Sequence, residues 1–473
     1  MVFVYIIVLY FLYSLISGVV LFSFHQHKKS QYVNEHKTER FFGDQASQDR
    51  VALVEKRYES GLARINLIEN AQETLDISYF MISPGLADSI FHTCIVNAAD
   101  RGVQVRILLD GVSNRMIGKK KDIVYSYVEH PNIQLKFYEP FDMWRPWTWN
   151  NRLHDKIIIV DQKLAMVGGR NIGDKYFAPV GLDGATNDRD VVVVNTDINA
   201  FENSAISKVK EYYNYVWNHA FSKPLITTLT QKQQKLGQRK LFDLRKLYHV
   251  LDESKPSFFQ QEINWMEKSL PAKKVTFIHN PIDRFNKEPW VWYEISRLMK
   301  KAKDSILIQS PYIIPTKDMR HHLNKGNLSV NEVKAVTNSL AASPNLMAYS
   351  GYRRFRKKLV SSGIDVYEFQ GPTESYHTKS FIFDNRISLV GSFNLDPRSA
   401  YLSTEIMLVI DSEEFASQMK NEIDRIIHYN SLLVKEDGSY APHPDVIERV
   451  VPRVKSLMTC VLTGVTRFGE RLL

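Results

Sequence analysis

The strongest constraint on the fold of this chain is an internal repeat. The stretch "NNRLHDKIIIVDQKLAMVGGRN" at residues 150–171 has a counterpart in "YHTKSFIFDNRISLVGSFN" at residues 376–394. Five matching positions keep a constant separation of 223 residues, and they are His154 with His377, Lys156 with Lys379, Asp161 with Asp384, Gly168 with Gly391, and Asn171 with Asn394. A match of this kind indicates that a structural unit has been duplicated.

The repeat extends beyond these two stretches. Upstream, "AQETLDISYF" is similar to "AKDSILIQSPY", and downstream "DRDVVVV" is similar to "STEIMLVI", an alignment that pairs Asp190 with Glu405. In both halves, segments with helical periodicity alternate with short apolar runs typical of strands. We therefore expect an α/β fold with two duplicated lobes, each a mixed β-sheet flanked by helices.

This pattern divides the chain into six predicted segments. They are an apolar N-terminal segment at 1–25, a polar tether at 26–49, the first lobe at 50–222, a partly helical connector at 223–273, the second lobe at 274–435, and a C-terminal tail with an amphipathic helix at 436–473. The apolar stripe of that tail consists of Val454, Leu457, Met458, Val461, Leu462, Val465 and Phe468. Such a stripe packs equally well against a lobe or a membrane surface.

Strand geometry groups the side chains of each copy. Side chains alternate between the two faces of a strand, so His154 and Lys156 point to one side, whereas Asp161 points to the other side and its carboxylate can bond local backbone in the following turn. If the two copies meet, two imidazoles, two ammonium groups and two asparagine amides surround one point. The sequence therefore predicts a single shared anion site.

The residue types suit displacement at phosphorus. A neutral imidazole can attack, a protonated one can deliver a proton to the departing alkoxide, and Lys156, Lys379, Asn171 and Asn394 can stabilise the phosphate oxygens. Asp190 and Glu405 are candidates to accept hydrogen bonds from the imidazoles. We interpret Gly168, Gly169 and Gly391 either as close approaches to the phosphate or as ordinary turn glycines. We expect no metal and no cofactor, because the lysines repel divalent cations and metal-ligand spacings are missing.

Composition and the N-terminus favour a membrane setting. The chain has 473 residues, a formal net charge of +9 and only two cysteines, which excludes a disulfide scaffold. Residues 2–24 contain no Lys, Arg, Asp or Glu. A helix of this length can cross a bilayer, so we expect a transmembrane helix, and a cleaved signal peptide is the alternative. Lys28, Lys29, Lys37 and Arg40 follow, which places the body of the protein on the cytoplasmic side.

Two further stretches suit a lipid surface. "FDMWRPWTWNNR" places Trp144, Trp147 and Trp149 beside Arg145, ahead of His154, and is interpreted as an interfacial loop or as core packing. "YRRFRKKL" at residues 352–359 is either a basic segment that holds lipid phosphates or a solvated helix face.

The paired His-x-Lys-x4-Asp stretches resemble the HKD motifs of the phospholipase D superfamily. "VGGRNIGDKYF", "TNSLAA", "GYRRFRKKL" and "GSFNLDPRS" resemble bacterial cardiolipin synthases, particularly the C-type branch. The resemblance implies two phospholipase D-like lobes with one shared active site, and its catalytic residues are His154, Lys156, Asp161, His377, Lys379 and Asp384. It further implies that His154 becomes a phosphohistidine and that His377 is the general acid and base.

The resemblance also implies a function. A phosphatidyl group is transferred from phosphatidylglycerol or phosphatidylethanolamine to phosphatidylglycerol, which gives cardiolipin at the bacterial cytoplasmic membrane. The alternatives are a hydrolytic phospholipase D that releases phosphatidic acid, a nucleic-acid phosphodiesterase, and a catalytically inactive lipid-binding protein. We expect phospholipids and the membrane as partners and no nucleic acid, and the sequence specifies no protein partner.

Overall fold

The computed structural model describes residues 1–24, 29–114, 118, 121–179, 182–260, 262–371, 373–467 and 469–473. Lys28 and Phe468, which the sequence analysis singles out, lie outside the described residues. The chain begins with an apolar helical segment made of α1 (Val2–Leu15), a π-helical turn (Ile16–Val20) and α2 (Leu21–Phe24). Within the described residues, Val2–Val20 is the one helix long and apolar enough to cross a bilayer.

The first lobe is a nine-stranded mixed sheet with helices on both faces. Its elements, after α3 (Tyr32–Glu35), are β1 (Asp49–Val54), α4 (Arg57–Glu69), β2 (Thr74–Tyr79), α5 (Leu86–Asp100), β3 (Gln104–Asp110), α6 (Lys121–Glu129), β4 (Ile133–Tyr138), β5 (Lys156–Val160), β6 (Leu164–Gly168), α7 (Asp174–Phe177), β7 (Thr186–Asn187), β8 (Asp190–Asn195), α8 (Ala205–Asn218) and β9 (Ser222–Lys223). The connector contains α9 (Gln231–Ser254), α10 (Pro256–Phe259), α11 (Trp265–Lys268) and β10 (Leu270–Pro271).

The second lobe repeats this plan with an eight-stranded sheet. Its elements are β11 (Lys274–His279), α12 (Trp290–Lys301), β12 (Ser305–Gln309), α13 (Lys317–His322), β13 (Glu332–Asn338), α14 (Leu346–Arg353), α15 (Arg356–Ser361), β14 (Asp365–Phe369), β15 (Ser375–Tyr376), β16 (Ser380–Phe383), β17 (Ile387–Gly391), α16 (Pro397–Tyr401), β18 (Ile406–Asp411), α17 (Glu413–Asn430) and β19 (Ser431–Leu433). The tail forms α18 (Arg453–Val465).

Strand order confirms the predicted duplication. The first sheet runs β10-β1-β8-β6-β5-β2-β3-β4-β9, and the second runs β11-β18-β17-β16-β12-β13-β14-β19. In the first sheet β2, β3 and β4 are parallel, whereas β5, β6 and β8 are antiparallel to their neighbours. The second sheet has the same directions in β12 to β14 and in β16 to β18. The α/β fold with two equivalent lobes is therefore confirmed.

The lobes meet across one central hydrophobic core. Ile157 and Val193 of the first sheet share this core with Leu408 and Ile410 of the second, and α8 and α17 contribute to it from either side. Burying each aliphatic side chain of this kind contributes roughly 1.5–3 kcal/mol. A shared core of this size fixes the position of one lobe relative to the other, and so it fixes the ends of β5 and β16.

Two linking segments pack more closely than the sequence suggests. Residues of the predicted tether dock on the second lobe, where Phe41 is fully buried and Arg40 pairs with Glu294 at 3.0 Å. A free polar tether is therefore not what these residues form, because an aromatic anchor and a buried ion pair hold them. The connector is partly helical, as predicted, and Leu241 and Leu244 of α9 are buried in the core of the first lobe.

Candidate active site

The two His-Lys stretches lie where the lobes touch, at the beginning of β5 and β16. Each stretch is tied by its backbone to the opposite lobe. The amide of His154 donates to Thr404 Oγ1 at 3.0 Å, and the amide of His377 donates to the carbonyl of Asn187 at 2.8 Å. The short strands β7 and β15 pair in parallel across the lobes just before His377. These ties hold both histidines at the contact between the lobes.

Each imidazole is held by a carboxylate from the other lobe. His154 Nδ1 lies 3.0 Å from Glu405 Oε2, and His377 Nδ1 lies 2.6 Å from Asp188 Oδ2. A carboxylate at Nδ1 fixes the orientation of the ring and leaves Nε2 for chemistry. The predicted contact of Glu405 with an imidazole is present, and its partner is the histidine of the first copy.

The corresponding prediction for Asp190 is wrong. The carboxylate of Asp190 is enclosed by Arg64 at 3.1 Å, Arg170 at 2.7 Å and Ser60 Oγ at 2.7 Å, and it contacts neither histidine. It completes a buried structural ion-pair network. The residue that takes the predicted role is Asp188, two positions earlier.

The sheet registers explain this difference. Gly168 pairs with Asp190 across β6 and β8, whereas Gly391 pairs with Met407 across β17 and β18. Since the two glycines are equivalent, Asp190 corresponds to Met407, and Asp188 therefore corresponds to Glu405. The alignment made from the sequence, which pairs Asp190 with Glu405, is therefore displaced by two residues from the structural equivalence of β8 and β18.

The glycines are required by close approach within the protein. A Cβ on Gly169 would overlap the carboxylate of Asp188, and a Cβ on Gly391 would overlap the carbonyl oxygen of Ile406. These glycines therefore make room for neighbouring protein atoms, and not for phosphate as one of the two interpretations of the sequence expected. Gly169 has an indirect link to the site, because it leaves the space that the Asp188 carboxylate occupies.

Both lysines are buried beneath the histidines. Lys156 and Lys379 are each 1% exposed, and each ammonium donates to the carbonyl oxygen of the histidine two residues earlier. Lys379 Nζ also lies 3.3 Å from Asp188 Oδ2. Burial, assisted by the positive charge of Lys379, lowers the pKa of Lys156 to about 7. An anion that enters the site would restore full protonation, so both lysines are suited to bind phosphate oxygens.

Asn171 is linked to His377 through an aromatic ring, and Asn394 is anchored within the second lobe. Asn171 donates from Nδ2 to the hydroxyl of Tyr176 at 3.2 Å, and the Tyr176 ring lies 6.2 Å from that of His377. Asn394 is anchored through its backbone amide, which donates to Ser399 Oγ at 3.2 Å. Within the described residues, the side-chain oxygens of both asparagines are buried and have no hydrogen-bond partner. These oxygens can accept a hydrogen bond from a ligand hydroxyl, whereas only the Nδ2 hydrogens of the two amides can donate to phosphate oxygens.

Asp161 and Asp384 do not lie at this site. The Asp161 carboxylate accepts from the backbone amides of Glu73 and Thr74 at 2.9 and 2.8 Å, and Asp384 does the same for the amides of Asp304 and Ser305. Both aspartates follow the far end of the strand that begins next to the lysine. The prediction that these two aspartates are catalytic is therefore wrong, because their carboxylates hold the turn and the neighbouring strand. For Asp161 this agrees with the separate prediction from strand alternation, which directs its side chain away from His154 and towards local backbone.

Electrostatics distinguish the two histidine-carboxylate pairs. Burial and the adjacent lysines lower the pKa of His154 well below its usual range and lower the pKa of His377 to about 3. Burial raises the pKa of Glu405 to about 8. Burial opposes ionisation of Asp188 too, but Lys379 and His377 outweigh it and lower the pKa of Asp188 below its usual range. In the unliganded site both imidazoles are therefore neutral, as a nucleophile must be.

Sequence reasoning missed a buried support beneath His154. The Asp155 carboxylate accepts from Tyr212 at 3.0 Å and from Thr404 Oγ1 at 3.1 Å. Thr404 in turn holds the His154 amide, so this cluster fixes the first stretch against the second lobe. The second copy has Thr378 at the position of Asp155, and the repeat therefore gives no signal for it.

Comparison with known proteins agrees with this geometry. The family model described as "Cardiolipin synthase, PLD-like domain" matches residues 65–217 and 295–427, which contain both His-Lys stretches. The chain belongs to this family. It is therefore a phospholipase D-type phospholipid enzyme, and the resemblance drawn from its motifs is confirmed.

Individual relatives cover most of the chain. Cardiolipin synthase C of Escherichia coli is 28% identical over 406 residues, which cover 77% of this chain and 81% of that protein. An uncharacterized protein of Helicobacter pylori strain J99 is 30% identical over 412 residues, or 78% of this chain and 77% of that protein. The crystal structure of phosphatidylserine synthase from Haemophilus influenzae has the same fold, with a TM-score of 0.64, 15% identity, and coverage of 93% of this chain and all of that one.

Asp188 and Asp190 form a matched pair for testing the assignment of the orienting carboxylate. We expect Asp188→Asn to lower kcat by roughly 10²–10⁴-fold, as expected when an orienting carboxylate is lost. Asp190→Asn should mainly lower the free energy of unfolding, by about 3–5 kcal/mol, because it unpairs buried arginines. Lipid turnover and denaturant unfolding of both variants check this. A larger loss of kcat in Asp190→Asn would contradict the assignment.

Glu405 gives the protein a specific pH dependence. Its pKa of about 8 in the folded state exceeds the usual value of about 4.3, so the folded state holds a proton that the unfolded state releases. The stability from this group is present below pH 4 and is lost as the pH rises towards 8. Glu405→Gln should flatten this loss between pH 5 and 8 in unfolding midpoints, whereas the exposed control Glu414→Gln should match the wild type. A steeper loss in Glu405→Gln would refute the raised pKa.

Proposed function

We propose that this protein is a membrane-anchored phosphatidyltransferase that makes cardiolipin from phosphatidylglycerol and a second phospholipid, either phosphatidylglycerol or phosphatidylethanolamine. The observation that carries the proposal is the pair of histidines, each held at Nδ1 by a carboxylate of the opposite lobe. This leaves two ring nitrogens for the two sides of one phosphodiester. The name of the Escherichia coli relative supports the choice of product.

The proposed reaction has two balanced steps. His154 Nε2 attacks the phosphorus of the donor, the bond to the headgroup oxygen breaks, and His377 gives that oxygen a proton. A glycerol hydroxyl of phosphatidylglycerol then attacks the phosphohistidine, His377 takes its proton, and the bond between phosphorus and His154 breaks. The bound phosphate raises the low pKa of His377, because a negative charge favours the imidazolium.

Four polar groups support the transition state in this proposal. Lys156 and Lys379 offer ammonium hydrogens, and Asn171 and Asn394 offer amides, to the equatorial oxygens of the phosphorus centre. All four are buried, so their charges and dipoles act in a medium of low dielectric. Two ammonium groups supply the positive charge that a metal ion supplies in other phosphoryl transfers.

Contacts of the N-terminal helix support an anchor that is retained. Tyr10 donates to the carbonyl of Met143 at 2.9 Å, Tyr13 donates to that of Trp144 at 2.6 Å, and Asn150 donates to the carbonyl of Gly18 at 2.7 Å. A helix that packs against the loop leading to His154 is part of the folded protein, which favours an anchor over a removed signal sequence. The positive-inside rule then places the lobes on the cytoplasmic side.

The loop before His154 fits the bilayer interface. Trp144 is 70% exposed beside the anchor, and Phe141 and Met143 are also exposed. Trp147 and Trp149 are partly buried, and Trp149 Nε1 donates to the carbonyl of Asp142 at 2.8 Å. The loop therefore keeps one large amphipathic ring outside, as is typical of interfacial tryptophans. In this arrangement a lipid headgroup has a short path from the membrane to the histidines.

Defined lipids test the proposal directly. Purified full-length protein supplied with acyl-labelled phosphatidylglycerol in micelles, with and without phosphatidylethanolamine, should give labelled cardiolipin and release free glycerol or ethanolamine. His154→Ala should lower this turnover by about 10³-fold or more because the nucleophile is lost, while the exposed control His428→Ala keeps it. A chelator should leave the activity unchanged. Phosphatidic acid as the sole product would identify a hydrolase, and activity in His154→Ala would remove its assigned role.

A further inference from the structure

A basic cleft lies on the second lobe, away from the histidines. It is a cavity of about 530 Å³ between α13, the α14–α15 junction and α18, lined by Arg320, Arg353, Arg354, Phe355, Lys358, Cys460, Thr463 and Arg467. Five of these residues are cations and none is acidic. We call this cavity the basic cleft, and none of its lining residues belongs to the histidine site.

Most of its charge is uncompensated. Arg354 pairs with Glu470 at 3.0 Å, and Arg353 donates to Cys460 Sγ at 3.0 Å. In the part of the chain that the structure describes, Arg320, Lys358 and Arg467 form no salt bridge. Like charges gathered around one cavity repel one another, and an anion with several oxygens relieves this repulsion. The charge pattern therefore favours a phosphate group as ligand.

The basic cleft adjoins the end of the anchor. Arg320 also lines a neighbouring cavity whose other charged residues are the cations Lys29, Lys317 and Arg471 and the acids Asp318 and Glu470. The guanidinium of Arg471 donates to the carbonyl of Phe22, at the end of the apolar N-terminal segment, at 3.5 Å. A surface with an excess of cations over acids therefore leads from the point where the anchor ends to the basic cleft. Such a surface next to a membrane helix suits anionic headgroups.

Helix α18, which forms one wall, turns its apolar side outward. Val454, Leu457 and Val461 are 70%, 67% and 63% exposed, whereas Thr459 is buried and Lys455 donates to the carbonyls of Ala341 and Ser343. A water-facing helix has the reverse arrangement. The sequence left open whether this helix packs on a lobe or on a membrane. It packs on the second lobe through its polar side and leaves its apolar side free.

We propose that the basic cleft binds the phosphate of an anionic phospholipid of the phosphatidylglycerol type, in the same bilayer leaflet that α18 contacts through its apolar side. The proposal rests on the membrane anchoring described under the proposed function. It assigns a second lipid site, separate from the histidines, to "YRRFRKKL" and the tail helix. Arg353, Lys358 and Arg467 hold the phosphate, and the exposed side of α18 contacts the acyl region.

Cys460 supplies a local reporter, since it is exposed and lines the basic cleft, whereas Cys94 is buried. Full-length protein carrying His154→Ala, in neutral maltoside micelles, is alkylated with a water-soluble maleimide, and the Cys460 peptide is quantified by mass spectrometry. Dioctanoyl phosphatidylglycerol at about ten times its dissociation constant should slow alkylation roughly tenfold. Dioctanoyl phosphatidylcholine should not.

Matched variants separate the cleft from general charge. The triple variant Arg353→Gln, Lys358→Gln, Arg467→Gln should lose the protection from alkylation that phosphatidylglycerol gives Cys460. The control Lys232→Gln, Lys235→Gln, Arg239→Gln removes the same charge from α9 and should keep it. The charge-conserving double variant Arg353→Lys, Arg467→Lys, which tests for a folding defect, should also keep most of it.

Other outcomes overturn the proposal. If the lipid slows alkylation of Cys460 equally in the two triple variants, or does not slow it in the parent protein, a phospholipid at the basic cleft is excluded. Equal protection by phosphatidylcholine would remove the anionic specificity, and protection by inorganic phosphate alone or by a single-stranded oligonucleotide would identify a different anion. Because the assay reads binding in an inactive variant, a failure of wild-type protein to form cardiolipin would refute the proposed function separately.

Discussion

The arrangement depends on one exchange between the lobes, in which each supplies the carboxylate that orients the histidine of the other. Glu405 of the second lobe holds His154, and Asp188 of the first holds His377. Neither lobe alone orients the histidine of its own His-Lys stretch. The central core and the cross-lobe pairing of β7 with β15 therefore support the proposed catalysis as well as stability, because any shift between the lobes separates both pairs at once.

The repeated motif divides its residues between two ends of one strand. The histidine and lysine lie at the beginning of β5, and Asp161 follows its end, about 17 Å away at the usual rise per residue. There its carboxylate binds the amides that lead into β2. The aspartate thus fixes the register of the strand whose other end carries the proposed catalytic residues. Asp384 has the same task in the second lobe.

The repeat predicts the two-lobe fold and the contact of Glu405 with an imidazole, and it selects the two His-Lys stretches that lie at the contact between the lobes. It misidentifies Asp190 for a physical reason. Side chains of a strand alternate with period two, so displacing an apolar strand by two residues preserves the pattern of inward and outward positions. Only the hydrogen-bonded register distinguishes Asp188 from Asp190. The docking of Phe41 and the outward apolar side of α18 also depend on partners distant in sequence, which periodicity alone does not identify.

The central claim is that both imidazoles act on a single phosphorus centre. A structure of the full-length protein with bound vanadate, which adopts the geometry of five-coordinate phosphorus, tests it most directly. The account predicts one vanadate with His154 Nε2 and His377 Nε2 on opposite sides and with Lys156 and Lys379 at its equatorial oxygens. Vanadate bound to one histidine alone, or two ions at separate positions, would contradict it.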